Sequence, residues 1–363
     1  MPAGGTAGIP APRTVAQTRA WVAFVAETQS AVPVLARVDL DGATVGSFTG
    51  LVARRFGLKL LGSPLPGWTS PYMGFSLTRA VPGAWLMRGL VDYAFGELGC
   101  HHLEVLDRGL ALEDGAGLGL GHTMLRGFEV DLTCSEDELF ARMTGACRRA
   151  IRKAEKSGVV VEEANDPGFA DDYYSQLCEV FAGQGLVPPY PLERVRQLMK
   201  HLRSTGMLLL LRARTAEGEC IATGIFPAMG DCMHFWGGAS RRRLRHVRPN
   251  EAIQWRAMRH WRSRGVARYD MGGDGVYKAK YGGRRIAVPW FRKSRSRPVA
   301  VLREAARLAY AGRQRFLGVV SGSYTPGERP SVASVGLDAP RRVQRESGEG
   351  VPLHPPGRDG NAR

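Results

Sequence analysis

The sequence predicts an α/β (α+β) fold built from two tandem copies of one domain, with helices packed on mixed sheets. Three observations carry this. Apolar residues make up 44% of the 363 residues and aromatics 8%, enough for two cores. Leu35, Asp41, Gly42, Val45 and Gly46 match Leu211, Glu217, Gly218, Ile221 and Ala222 at an offset of 176, and each set reads as strand, acidic-Gly turn, strand. ELGCHHLEV (97–105) matches SRGVARYDM (263–271) at an offset of 166, both reading as a helix end, a Gly cap and a buried strand carrying an acid.

The elements follow in order. Residues 1–13 read as a flexible end, after which 16–28 spaces its apolar residues as an amphipathic helix. The first domain is expected over 14–126 and the second over 127–298. In the second copy the pattern predicts a helix over 136–157, a strand near 159–163 and helices within 168–204. Strands near 207–213, 219–228 and 231–237, a helix over 249–264 and a strand over 267–271 complete it. A last helix, within 299–320, is expected to pack back across the pair. Residues 321–363 hold six Pro, seven Gly and one aromatic, so they bury no core and read as disordered.

Composition excludes several classes. With 50 Lys plus Arg, 34 Asp plus Glu and no apolar run near ~20 residues, no membrane span is expected. The N-terminal stretch lacks the apolar segment of a signal peptide, so a cytoplasmic protein is expected. Six scattered cysteines without a CxxC or paired His pattern imply neither a disulfide framework nor a metal site. The formal charge of +16 is concentrated: residues 241–297 hold 18 Lys or Arg against Glu251, Asp270 and Asp274. A block of that kind attracts phosphates or another polyanion, whereas a solvated Arg-rich face is the alternative.

The segment RRLRHVRPNEAIQWRAMRHWRSRGVARYDMGG (242–273), followed by VYKAKYGG (276–283), resembles the signature of the FemAB-like family, also called the BioF2-like acetyltransferases. Residues 250–265 look like its long helix, and Tyr269, Asp270, Gly272 and Gly273 like its strand and turn. Tyr277, Lys278, Tyr281, Gly282 and Gly283 look like its aromatic-Lys loop with a Gly pair. GSPLPGWTSPYMGF (62–75) and the basic helix CRRAIRKAEKSG (147–158) are also similar. The resemblance spans roughly 15–300. It implies tandem GNAT acyltransferase domains, and the best-known members move an amino acid from aminoacyl-tRNA onto a peptidoglycan precursor.

One departure bears on the donor. Ordinary GNAT enzymes cradle coenzyme A phosphates with a Gly-rich turn, since glycines let backbone N-H groups approach at a helix start. Here that place reads Arg245, His246, Val247, Arg248, Pro249, Asn250, with no glycine and with a proline that has no N-H. Side chains of Arg245 and Arg248 and the amides after Pro249 would hold the phosphates, which favours aminoacyl-tRNA over acyl-CoA as donor. Asn250, Lys280, Tyr281 and Gly282 join them as donor-binding candidates. No bound cofactor is expected.

The chemistry is attack of an amine on an activated ester or thioester. Lys278 is the first catalytic candidate, as a loop cation neutralising the tetrahedral intermediate or leaving group, against a solvated loop lysine. Asp270 could take or orient the ammonium proton, or cap the 272–275 turn. Tyr277 flanks the lysine and stacks on a base or sugar, or packs in the core. For the acceptor, an anionic precursor or peptide, the interdomain cleft is the default place. Trp68, Tyr72, Phe235 and Trp236 could wall it, Arg148, Arg149 and Arg152 could clamp a diphosphate, and Tyr190 is the one candidate in 186–192. Peripheral contact with anionic envelope precursors fits the charge. Rival readings are a CoA-dependent N-acyltransferase in polysaccharide or metabolite synthesis and a non-catalytic basic RNA-binding module. A missing cleft or a buried Lys278 would favour the module. The Gly-rich 115–122 lacks a dinucleotide register and reads as an interdomain loop, while His234 and His260 read as structural.

Overall fold

The computed structural model describes residues 10–320. The flexible ends expected at 1–13 and 321–363 fall outside those residues, apart from 10–13, which lead into the first helix. The first half runs α1 (Arg19–Gln29), β1 (Ala31–Leu40), β2 (Ala43–Arg55), β3 (Leu58–Ser63), β4 (Gly74–Leu77), α2 (Gly83–Asp92), β5 (His102–Leu106) and β6 (Gly121–Asp131). There follow α3 (Glu136–Arg142), α4 (Gly145–Lys156), β7 (Val160–Glu163), α5 (Phe169–Ala182), α6 (Leu192–Leu202), β8 (Leu208–Arg214) and β9 (Cys220–Met229). The chain continues through β10 (Cys232–His234), β11 (Gly237–Ser240), α7 (Pro249–Arg262), β12 (Arg268–Asp270), β13 (Arg284–Ser294) and α8 (Arg297–Val320).

The strands form one mixed sheet in the order β1-β2-β3-β5-β13-β6-β12-β10-β9-β8-β7, with β4 on β2 and β11 on β9. The duplication is visible in it. Hairpin β1-β2 corresponds to β8-β9, and their turns hold Gly42 at φ 77° and Gly218 at φ 87°, a left-handed conformation that favours glycine. In each half the next strand pairs in parallel with the acid-bearing strand, β3 with β5 and β10 with β12. The closing strands cross over: β6 pairs with β12, and β13 pairs with β5. The expected boundary at 126/127 therefore falls inside β6, and the last strand of the expected second domain lies on the first half.

Two sequence expectations need correction. The helix expected over 136–157 breaks at Met143 and Thr144. Thr144 adopts an extended conformation and N-caps α4 by accepting from Cys147 N, while Arg148 Nη1 donates to the carbonyls of Ala141 (2.7 Å) and Met143 (2.6 Å) at the end of α3. The strand expected over 231–237 is two strands, because the chain changes partner between them. Phe235 N donates to Asp270 O (2.9 Å), whereas Trp236 N donates to Ile225 O (3.1 Å). The first half splits in the same way, with β3 and β4 separated by the 64–73 loop, so the two gaps face one cleft.

Alternation along the central strands decides which side chains reach that cleft. Met233, Tyr269 and Val130 point into the core under α4 and α7, so His234, Asp270 and Glu129, each one residue away, point to the opposite face. These three are register partners across β10, β12 and β6. No helix of the described residues is long and apolar enough to cross a membrane.

Candidate functional site

The cleft is a cavity of about 120 Å³ whose walls come from both halves: Tyr72 and Leu106 from the first, His234, Trp236 and Asp270 from the second, and Trp290 from the exchanged strand β13. Asp270 is 3% exposed. Its Oδ1 accepts from Gly272 N (2.7 Å), capping the turn, while Oδ2 has no hydrogen-bond partner among the described residues. Burial and the facing Asp270 carboxylate push the Tyr72 phenol far above its ordinary range, so it stays protonated. Arg108 lies over the Tyr72 ring at 5.5 Å. Phe235 lines the cleft too.

Lys278 corrects an expectation. Its side chain is 0% exposed, and Nζ donates to the carbonyls of Gly272 (2.8 Å) and Gly273 (3.3 Å). It therefore holds the turn that shapes the cleft floor and does not face solvent. A buried Lys278 was the mark of a non-catalytic module. The other mark, a missing cleft, is not met.

The second cavity, about 390 Å³, lies between the N-terminal turns of α4 and α7 and is lined by Arg149, Lys153, Arg248 and Lys280, with Glu251 as the one acid among its lining residues. Lys280 Nζ pairs with Glu251 Oε1 at 2.8 Å and lies 5.2 Å from the centre of the Tyr281 ring. Arg248 N-caps α7 at φ 62° with Pro249 in the first turn, and Asn250 Nδ2 donates to Ser240 Oγ (3.1 Å). Arg245 is exposed on the preceding turn. Cys147 in the same wall is an inert thiol, since burial pushes it up to about 11.

The three arginines of the basic helix separate. Arg149 lines the same cavity as Arg248 and Lys280, and is not among the residues lining the cleft where the acceptor was expected. Arg148 ties off α3, and Arg152 lies 5.3 Å over the Phe140 ring. Other aromatic candidates are structural. Tyr190 is buried, with its hydroxyl 2.7 Å from that of Tyr173, and Trp68 is buried with its carbonyl accepting from Arg194. Trp236 Nε1 donates to Thr69 O (2.9 Å), which ties the halves together. Tyr277 is half-buried and pushed up to about 12 by burial, while Tyr281 is fully buried. Gly282, at φ 79°, packs against the Arg142 carbonyl, which a Cβ would approach to 2.8 Å.

Sequence reasoning missed the Glu129 network. Glu129 is buried and paired with Arg108, with Arg284 (2.9 Å) and with Arg268 (3.5 Å). Burial alone would raise its pKa, but the hydrogen bonds from Arg108 and Arg284 hold it below its ordinary value. Lys153 was also missed, although its i+4 spacing from Arg149 marked the shared face. His260, by contrast, has the structural partner expected of it: Nδ1 lies 2.8 Å from Glu163 Oε1.

The family described as acetyltransferase (GNAT) domain matches residues 141–281. No curated protein matches the chain. Among solved structures, FemX is similar at 14% identity and a TM-score of 0.65, over 80% of this chain and 95% of that one. The C-terminal domain of a putative lysylphosphatidylglycerol synthetase from Agrobacterium fabrum is similar at 11% identity and a TM-score of 0.53, over 79% of this chain and 91% of that one. Both likenesses are of fold. Residues 141–281 thus match an acetyltransferase (GNAT) domain, and the solved structures share the fold of the described chain.

Proposed function

We propose that the chain transfers an aminoacyl group from a tRNA to a primary amine of a cell-envelope precursor or specialised peptide. The observation that carries this reading is the convergence of Arg149, Lys153, Arg248 and Lys280 on one cavity with a single acid. Four cations around one cavity, with Arg248 at the N-cap of α7, favour a phosphate-bearing donor. Pro249 offers no N-H for a coenzyme cradle, and the exposed Arg245 extends the positive face along a backbone longer than a pyrophosphate. The Agrobacterium fabrum neighbour's name joins lysine to phosphatidylglycerol, which supports an acceptor of the envelope.

The reaction is proton-balanced as follows. The acceptor ammonium gives up one proton, its nitrogen attacks the ester carbonyl, and a C-N bond forms. The ester C-O bond then breaks, and the amine's second proton goes to the departing ribose hydroxyl. Lys278 keeps the 272–273 turn in place while this happens.

The test is to incubate the full chain with a mixed pool of aminoacyl-tRNA. Binding that falls steeply with salt, and transfer of the aminoacyl group to an added amine, are expected. A second reading, an acyl-CoA donor, is favoured by the match to an acetyltransferase domain. Stabilisation by micromolar acetyl-CoA that is lost in Arg248→Ala would establish that reading and overturn the tRNA donor.

A further inference from the structure

We propose that one end of the first half docks on an anionic lipid surface, through the outward face of α8 and the exposed phenyl of Phe56 at the β2-β3 turn. The docking stands on the chemistry of that surface alone and does not rest on the transferase reading above.

The amphipathy of α8 is inverted. Helical spacing puts residues 299, 303, 306 and 307 on one side and 301, 302, 305, 308 and 309 on the other. The first side faces the protein: Val299, Ala306 and Arg307 are half-buried, and Arg303 Nη2 donates to Glu104 Oε1 at 2.9 Å. The other side reads Val, Leu, Ala, Leu, Ala, and all five are exposed, with Val301 at 69%, Leu302 at 47% and Leu308 at 60%. Glu304 on its rim is tied to Arg307 at 3.1 Å. A helix held to the fold by an arginine, with its aliphatic side chains turned to water, presents an apolar face that nothing in the fold covers among the described residues.

The charge around that face says what covers it. Lys59 N donates to His101 Nδ1 (3.0 Å) and Arg295 N to His101 O (2.9 Å), which brings the β2-β3 turn and the start of α8 to the same end of the sheet. Phe56 in that turn is 88% exposed and at φ 50°, a left-handed conformation uncommon for a bulky residue. Segments 54–59, 95–101 and 293–297, which meet at this end, hold six Lys or Arg and one acid, Glu97. Arg54, Arg295 and Arg297 are exposed and form no ion pair among the described residues. Aliphatic side chains and a phenyl beside unpaired cations match acyl chains beneath anionic headgroups. A second copy of the chain would bring the same positive charge against itself, and a nucleic acid gains nothing from aliphatic side chains, which offer no ring for a base to stack on. His102 begins β5 at this end and Leu106 ends it at the cleft, so a docked bilayer leaves the cleft open.

The test is flotation of the full chain with vesicles of phosphatidylglycerol and phosphatidylcholine in equal parts, beside vesicles of phosphatidylcholine alone. The chain is expected to float with the first and not with the second, and to be released as salt rises. Val301→Gln, Leu302→Gln and Leu308→Gln combined are expected to weaken that binding at least about tenfold at an unchanged melting temperature, since the three side chains are exposed in the free protein. Two further variants keep the test open should the triple variant unfold. Phe56→Ser, on a separate element, is expected to weaken vesicle binding about threefold, and Arg295→Glu with Arg297→Glu to remove the preference for anionic vesicles. No flotation of the wild type, equal flotation with both vesicles, or binding unchanged in a folded triple variant overturns the inference. Self-association in sedimentation that the triple variant abolishes, without vesicle binding, overturns it in favour of a second copy. Comigration with tRNA that the triple variant abolishes, without vesicle binding, overturns it in favour of a nucleic acid.

Discussion

Glu104 and Asp270 occupy equivalent positions in the two halves, 166 residues apart, and differ in what their carboxylates meet. Glu104 Oε1 is held by His102 Nε2 at 3.0 Å and by Arg303 Nη2 of α8 at 2.9 Å. Asp270 Oδ2 has no hydrogen-bond partner among the described residues. The register explains part of the difference, because the strand beside Glu104 offers Gly62, where the strand beside Asp270 offers His234. One copy has closed its acid into the fold, and the other has left it at the cleft.

Substituting these two acids should therefore give opposite outcomes. Glu104→Gln is expected to lower stability by about 2 kcal/mol, through loss of charge-assisted bonds to His102 and Arg303, and to leave transfer near wild type. Asp270→Asn is expected to cost little stability and to abolish transfer. Urea unfolding beside a transfer assay checks both, and the same response from both variants would refute the assignment.

Lys278→Ala should destabilise the chain, since a fully buried ammonium that bonds two backbone carbonyls is being removed. A loss of about 2–4 kcal/mol is expected, with the Gly272 and Gly273 carbonyls left unsatisfied. A midpoint unchanged in urea would return the lysine to a purely chemical role.

The cavity lined by Arg149 and Arg248 separates the arginines of one helix. Arg149→Ala and Arg248→Ala should each weaken donor binding by about 1–3 kcal/mol, and the double variant by less than the sum, because both face one cavity. Arg152→Ala, which removes a contact with Phe140, should leave donor affinity unchanged. Arg248→Lys should restore binding only in part, as a point charge lacks the planar fork. Filter binding across a salt series measures all five.

Glu129 carries a pH dependence whose sign follows from its environment. Its folded-state pKa lies below the ordinary 4.5, so its stabilising contribution is fully present above about that pH and is lost as the pH falls through the lowered folded value. Acid unfolding of the wild type should steepen below pH ~4.5, and Glu129→Gln should flatten that limb. The same variant should cost about 3 kcal/mol at pH 7, by leaving Arg108, Arg268 and Arg284 around an uncharged amide. Urea midpoints between pH 3 and pH 7 test both halves of the statement.

Much of the fold was legible in the chain. Hairpin turns and Gly caps are written in local residue types, so the repeat at Asp41-Gly42 and Glu217-Gly218 announced two copies before any contact was known. The helix break at Met143 was less legible, because Thr144 acts as an N-cap only where the chain already bends. Arg245, Arg248 and the proline after them could be read as a phosphate grip without glycine, since that statement concerns residue type and order alone.

What the sequence by itself determined is the set of local propensities and the placement of charge: two α/β copies, a basic block, and an acid at the end of a buried strand. Tertiary structure alone decided which of those charges face a ligand. The exchange of β6 and β13 brings Glu129 beside Asp270 and sets Trp290 in the cleft wall, contacts between residues that lie far apart in sequence. Burial, which is a property of the packed whole, turned Lys278 inward and left His234 Nε2 and Asp270 Oδ2 without a hydrogen-bond partner among the described residues. Periodicity states which face a side chain takes, and only the assembled sheet states what lies on that face.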